Sequence, residues 1–288
     1  MRTWTASCVL LFWPGLMPGS VISFDIAGSG GRPVSFYVFA PADVSRDGAI
    51  LLLVPGFNGS GLDMLDAGWR DFAEKNRVVL LAPTFKTSLA ELQTGKGYYY
   101  PEQWSGAVVE EALRELGRRT GPDGKTVLIF GFSAGAHFAH RFALWKPERV
   151  EAFAAYSAGW WSDPTEGLAH VPALIMCGEN DPRYDTTREF FEKAMDLKLP
   201  WIWRSYKGTG HEMTPAVRRM VEAFLGFYAK ESRPARQDAK HGSDEEAGFS
   251  GDIQTYRFVP EGDAESIPSA VRIRLPSKEL AEVWSKEE

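Results

Sequence analysis

Cysteine is nearly absent from this chain: Cys8 and Cys177 are the only two in 288 residues. One lies near the N-terminus and the other inside an apolar run, so no disulfide framework and no cysteine-built zinc site is expected. Positive charge is also in deficit, with 32 Lys and Arg against 38 Asp and Glu and a formal net charge of −6. A nucleic-acid partner calls for the opposite balance and is excluded. Long apolar runs are missing too; the stretch at 8–13 is too short to span a bilayer. No internal repeat, dinucleotide motif, redox motif or metal-ligand spacing occurs, so the expectation is chemistry without cofactor or metal.

What the chain does have is a strand running into a tight turn. The apolar residues Val127, Leu128, Ile129 and Phe130 lead into Gly131-Phe132-Ser133-Ala134-Gly135, a G-x-S-x-G pattern, and a helical stretch follows over 134–145. A serine hydroxyl is a weak nucleophile and must be lifted out of the backbone and offered to a base. A sharp strand-to-helix turn does this, and small flanking residues keep it free of clashes. The Ala134 amide would then lie at a helix N-terminus, where unpaired N–H groups and the helix dipole favour an oxyanion. The plain alternative is a tight turn holding an inert serine.

Two later segments supply partners. Ala173 to Cys177 reads as a strand ending in the polar turn Gly178-Glu179-Asn180-Asp181-Pro182, with Asp181 just past the strand's C-terminal edge. Reactive groups gather at that edge in open parallel sheets. Asp163 and Asp185 compete for the role, the first in a Ser-Asp-Pro turn and the second near a helix start. Of the five histidines, only His211 sits in a Gly-rich loop after a late strand. His137 and His140 fall inside the helix after Ser133, where packing is their ordinary use; His170 precedes a strand and His241 lies in a polar tail. A third segment, 49–61, reads as a buried strand ending in Pro55-Gly56-Phe57-Asn58-Gly59-Ser60-Gly61. Its Phe57 N–H is the candidate second oxyanion donor beside Ala134.

On these motifs the chain resembles the α/β-hydrolase superfamily, near the bacterial esterases related to polyhydroxybutyrate depolymerases and feruloyl esterases. It is also similar to the dienelactone-hydrolase and prolyl-oligopeptidase-like groups. The resemblance covers about 21–230 and places the nucleophile on Ser133, the acid on Asp181, the base on His211, and the oxyanion donors on Phe57 and Ala134. The loop after the first parallel strand reads Pro-Gly-Phe-Asn rather than His-Gly-Gly-Gly, which argues against the hormone-sensitive-lipase type. The implied activity is carboxylic-ester hydrolysis through an acyl-enzyme. A prolyl-oligopeptidase-like serine peptidase is the alternative, and a non-catalytic binding protein on the same fold is a third reading.

Strand patterns at 21–26, 33–40, 50–55, 78–83, 127–133, 150–156, 173–177 and 201–207 alternate with helical ones at 62–75, 102–119, 134–145, 183–197 and 214–230. The alternation predicts an α/β fold, a mostly parallel sheet of about eight strands covered on both faces. The interval 157–172 is too short for a cap domain, so an open site is expected. Tyr98, Tyr99, Tyr100, Trp104, Trp160, Trp161 and Tyr184 fall near the sheet's C-terminal edge and are candidates for an aromatic rim around a small-molecule or polymeric ester. Core packing is the alternative for each ring.

The expected organisation has four parts. Residues 1–20 resemble a degenerate signal peptide, which implies a secreted or periplasmic protein; a misplaced start, leaving the protein cytoplasmic, is the rival. The catalytic domain spans 21–230, and a polar linker spans 231–250. A small C-terminal appendage, 251–288, carries strands expected at 253–259 and 271–276 and a terminal helix capped by Ser277. It is too small for its own core, so it either docks on the rest or binds a partner. Oligomeric state is not readable from the sequence.

Overall fold

The computed structural model describes residues 19–28, 31–44, 48–120, 122, 124–231 and 248–286. Residues 1–18 of the expected leader at 1–20, His241 and most of the expected linker lie outside the described residues.

The chain opens with an antiparallel pair, β1 (Val21–Ala27) and β2 (Pro33–Phe39). Then come β3 (Ile50–Val54), α1 (Ala67–Asn76), β4 (Val79–Thr84), the short α2 (Leu89–Gln93) and α3 (Gly106–Thr120). A π-turn at Pro101–Ser105 leads directly into α3. β5 (Val127–Phe132), α4 (Ala134–Trp145), β6 (Val150–Tyr156), β7 (Ala173–Gly178), α5 (Tyr184–Asp196), β8 (Trp201–Tyr206) and α6 (Pro215–Glu231) follow. The eight strands form one sheet in the order β1-β2-β4-β3-β5-β6-β7-β8, parallel from β4 through β8.

Periodicity explains the layering. β3 and β7 are apolar and buried along their whole length, as strands covered on both faces must be. β1, at the edge, alternates in exposure instead. α4 is buried from Ala134 through Ala143, including His137, His140 and Arg141. A helix buried on nearly all sides lies inside the molecule rather than on it.

Two expectations need correction. The helix expected at 62–75 starts only at Ala67, because Asp66 caps it: its Oδ1 accepts the Trp69 N–H at 2.8 Å. Gly61 sits where a Cβ would lie 2.4 Å from the Ala82 carbonyl oxygen, so the chain before it is a loop pressed against β4. The single strand expected at 253–259 is instead two: β9 (Phe249–Asp252) and β10 (Phe258–Pro260). Asp252 Oδ1 accepts the Gln254 N–H, and Tyr256 takes a left-handed φ of 56°, so an Asx-type turn interrupts the run.

β11 (Arg272–Leu275) completes a three-stranded antiparallel sheet in the order β10-β9-β11, and α7 (Lys278–Ser285) is capped by Ser277 as expected. This C-terminal group lies against β8, the far edge of the main sheet. Trp284 Nε1 donates to the Trp203 carbonyl at 2.7 Å, and the Tyr256 hydroxyl accepts the Ser205 N–H at 2.9 Å. An open sheet edge is a row of unpaired backbone groups. Here two aromatic side chains satisfy part of that row, and of the two readings of the appendage the docked one is found.

Candidate active site

Ser133 stands between β5 and α4 with φ 55° and ψ −115°, a conformation a non-glycine residue holds only under constraint. The constraint is visible on both sides. A Cβ on Gly131 would lie 2.1 Å from the Gly135 carbonyl oxygen, and one on Gly135 would lie 2.0 Å from that of Val54. Only glycine lets β5, the start of α4 and the end of β3 come this close. The Ser133 N–H donates to the Tyr156 carbonyl at 2.9 Å, fixing the turn against β6.

The two candidate partners of Ser133 come from the loops after the last two strands of the sheet. Asp181 follows β7 and His211 follows β8. The Asn180 N–H donates to the Thr209 carbonyl at 2.9 Å, tying one loop to the other. Gly178 permits this approach, since a Cβ there would lie 2.3 Å from the Thr209 carbonyl oxygen and 2.5 Å from that of Gly210. The outcome is a continuous chain: Asp181 Oδ2 to His211 Nδ1 at 2.6 Å, and His211 Nε2 to Ser133 Oγ at 2.9 Å.

The Asp181 carboxyl is fully buried. Burial alone would raise its pKa. Hydrogen bonds from His211, from the Arg183 backbone and side chain, and from Ser157 outweigh that and hold it below the ordinary carboxylate value. It is therefore an anion beside His211, able to orient the ring and to stabilise an imidazolium. The two rival aspartates stand elsewhere: Asp163 pairs with Lys193 at 2.9 Å, and Asp185 lies in the first turn of α5.

Gly56 lies against the turn; a Cβ on it would be 3.7 Å from the Ser133 Cβ. Phe57 is the next residue, and its N–H has no hydrogen-bond partner among the described residues. Ala134 is the first residue of α4, so its N–H has no acceptor within the helix. Both candidate oxyanion donors are thus placed to donate to a ligand oxygen.

Of the expected aromatic rim, Tyr98 and Tyr99 are core residues, Tyr100, Trp104, Trp161 and Tyr184 are half-buried, and Trp160 is exposed. Tyr98 and Tyr99 are buried: Tyr98 donates its hydroxyl to the Pro55 carbonyl at 3.2 Å and stacks on Phe85, and Tyr99 stacks on His137 at 4.8 Å. Trp104 bonds the Lys96 carbonyl and meets Phe85 edge-on; Trp161 stacks on Phe190 at 4.2 Å. Tyr184 packs edge-on against Trp203, and Tyr100 lies under the Arg141 guanidinium. Only Trp160 stands out, 65% exposed. The physical reason is that the loop at 84–101 folds down on the core rather than standing at the sheet edge, and large rings gain most when buried.

Several residues with no motif to announce them also shape the site. The Tyr156 hydroxyl, pushed above the ordinary phenol range chiefly by burial, donates to the Glu212 carbonyl at 2.9 Å, directly after His211. Phe132 lies between the Tyr156 and His211 rings, 5.4 Å from the first and 4.8 Å from the second. Arg141 holds the loop beyond β6 through the Trp160 carbonyl and Ser162 Oγ. Arg183 bonds Asp181 at 3.1 Å. Position two residues after Asp181 was the one available hint for Arg183; for Tyr156 and Arg141 the sequence held none.

No group of three or more His, Cys, Asp or Glu side chains among the described residues is placed to hold a metal. No helix among them is long and apolar enough to cross a membrane.

The sequence matches no family model and no curated protein. Solved structures, by contrast, match the fold. A poly(aspartic acid) hydrolase from Sphingomonas sp. KT-1 aligns with TM-score 0.53 at 24% identity, covering 68% of this chain and 95% of that one. A poly(3-hydroxybutyrate) depolymerase from Bordetella parapertussis aligns with TM-score 0.54 at 22% identity over 76% of this chain and 92% of that one. A ferulic acid esterase aligns with TM-score 0.61 at 14% identity over 75% and 99%.

Proposed function

We propose that this chain, which has the α/β-hydrolase fold, is a serine hydrolase of carboxylic esters. Ser133 Oγ attacks the ester carbonyl carbon as His211 Nε2 takes its proton. The oxygen of the tetrahedral intermediate, now negative, is held by the Phe57 and Ala134 amides. Collapse expels the alcohol, which receives the proton from His211, and leaves an acyl group on Ser133. Water, deprotonated by the same ring, then releases the acid. Asp181 stays ionised throughout and keeps Nδ1 protonated, so that Nε2 is the basic nitrogen.

The observation that carries this reading is the hydrogen-bonded chain Asp181–His211–Ser133 with the serine in a left-handed turn. The similarity to structures named as esterases and polymer hydrolases supports it. Trp160, the exposed ring of the expected rim, is the one we assign to substrate contact. We also read residues 21–230 as the catalytic portion, residues 251–288 as an edge cover for it, and residues 1–20 as an export signal.

A fluorophosphonate probe tests the reading: it should label the native protein and not Ser133→Ala. That variant should lose about 10³-fold or more in kcat on p-nitrophenyl esters while remaining folded. Asp181→Asn should also be severely impaired and Asp185→Asn near normal. Full activity in Asp181→Asn, or labelling that survives Ser133→Ala, would overturn the assignment. A panel of esters, polyesters and peptides separates esterase from peptidase.

A further inference from the structure

Two arginines converge on the loop that carries Gly159 and Trp160. Arg141 is buried, and it spends its guanidinium on neutral acceptors: Ser162 Oγ at 3.0 Å, the Tyr99 carbonyl at 3.3 Å and the Trp160 carbonyl at 3.2 Å. Among the described residues no carboxylate lies within ion-pair distance of it; Glu102 acts on it only from farther away. Arg183 reaches the same loop from the start of α5. Its stem crosses Gly159, where a Cβ would sit 3.5 Å from Nε. Both guanidinium groups act on the buried His137, which burial first, then Arg141 and Arg183, hold neutral down to about pH 3.

The charges on this flank do not balance. Of the two guanidinium groups only Arg183 has a carboxylate in ion-pair reach, Asp181, whose other oxygen is engaged by His211. The surplus is positive in a chain whose formal net charge is −6. Arg183 is also only partly committed. Nη1 donates to Asp181 Oδ1, while Nε and Nη2 have no hydrogen-bond partner among the described residues, and the side chain is 38% exposed. Nε and Nη2 form the side edge of a guanidinium, the pair of parallel donors that fits the two oxygens of a carboxylate.

Resting on the esterase reading above, we propose that the free edge of Arg183 binds an anionic group of the substrate, so that the preferred esters carry a carboxylate beside the scissile bond. The exposed Trp160 indole then borders the same subsite and covers the apolar part between the two groups. Arg183 already touches Asp181, so its role is double: one nitrogen steadies the acid and the opposite edge selects the substrate.

Two matched pairs test this. Monoethyl adipate against diethyl adipate varies charge on the acyl side, and 4-acetoxybenzoate against its methyl ester varies charge on the alcohol side. The native protein should favour the anionic member of at least one pair by about tenfold or more in kcat/KM. Arg183→Gln weakens both members through Asp181, but it should cut the anionic member about 10- to 100-fold further, chiefly in KM. Arg183→Lys, which keeps the charge and loses the fork, should retain part of the preference and serves if the glutamine variant does not fold. Added salt should erode the preference in the native protein. A native preference for the neutral member in both pairs, or equal losses on both members in the variants, would overturn the proposal while leaving the esterase reading intact. Absence of turnover together with absence of fluorophosphonate labelling would overturn both.

Discussion

Acidification should destabilise this fold through His137, and the size of the effect follows from its surroundings. His137 is 4% exposed, stacked on Tyr99, and its Nε2 accepts the Gly159 N–H at 3.2 Å. A protonated ring would have no acceptor role to offer there and would face Arg141. Its pKa is accordingly depressed to about 3, first by burial and then by Arg141. In the unfolded chain a histidine titrates near ~6.5. Between those values the unfolded state holds a proton that the native state does not, so stability is complete above ~6.5 and falls as pH drops toward 3. The difference amounts to about 2 kcal/mol at pH 5 and about 3 kcal/mol at pH 4. His140 adds in the same direction. Burial and Arg141 lower it, and its Nε2 accepts the Ser162 N–H while Nδ1 donates to the Ala136 carbonyl, a pairing only the neutral ring can make. The assay is urea unfolding from pH 7 to pH 4 for the native protein and for His137→Phe, which keeps the stack on Tyr99. Other groups titrate alike in both proteins and cancel in the difference. The native protein should lose about 2 kcal/mol more than the variant between pH 7 and pH 5. Parallel curves would show that the buried ring is protonated in the native state and that the reasoning fails.

Tyr156→Phe keeps the ring beside Phe132 but removes the bond to the Glu212 carbonyl, so kcat should fall about 2- to 10-fold with KM and melting temperature little changed. Steady-state kinetics beside a thermal melt would decide it, an unchanged kcat counting against any part for Tyr156 in holding His211. Gly178→Ala should cost more, about 10²-fold in kcat, because its Cβ must push the His211 loop away from the Asp181 loop. Activity near normal in that variant would mean the loops have room that the 2.3 Å approach denies.

Local signals in the chain carried much of this protein. The strand patterns of β5, β6 and β7, the helix of α4 and the cap at Ser277 all come from near neighbours, since periodicity and capping act over a few residues. The elbow around Ser133 was legible for the same reason: three small residues and a strand before them leave one conformation open. Residues with one chemical meaning in one local setting, Asp181 after a strand and His211 in a glycine loop, were nameable before their distance was known. Tertiary structure decided the rest. Whether a ring rims a cleft or fills a core depends on where the loop at 84–101 comes down, and Tyr98 and Tyr99 went inward although their sequence neighbourhood suits either place. The aromatic run in 253–259 has strand composition, yet Asp252 folds it into a turn whose Tyr256 is wanted by the edge of β8, a partner about fifty residues away. Arg183 differs from any surface arginine only in what lies beside it: Asp181 on one edge and, among the described residues, no hydrogen-bond partner on the other. Chemistry read from residue type is a property of the chain, whereas a free donor, an uncompensated charge or a buried imidazole is a property of the space around it, and folding alone creates that space.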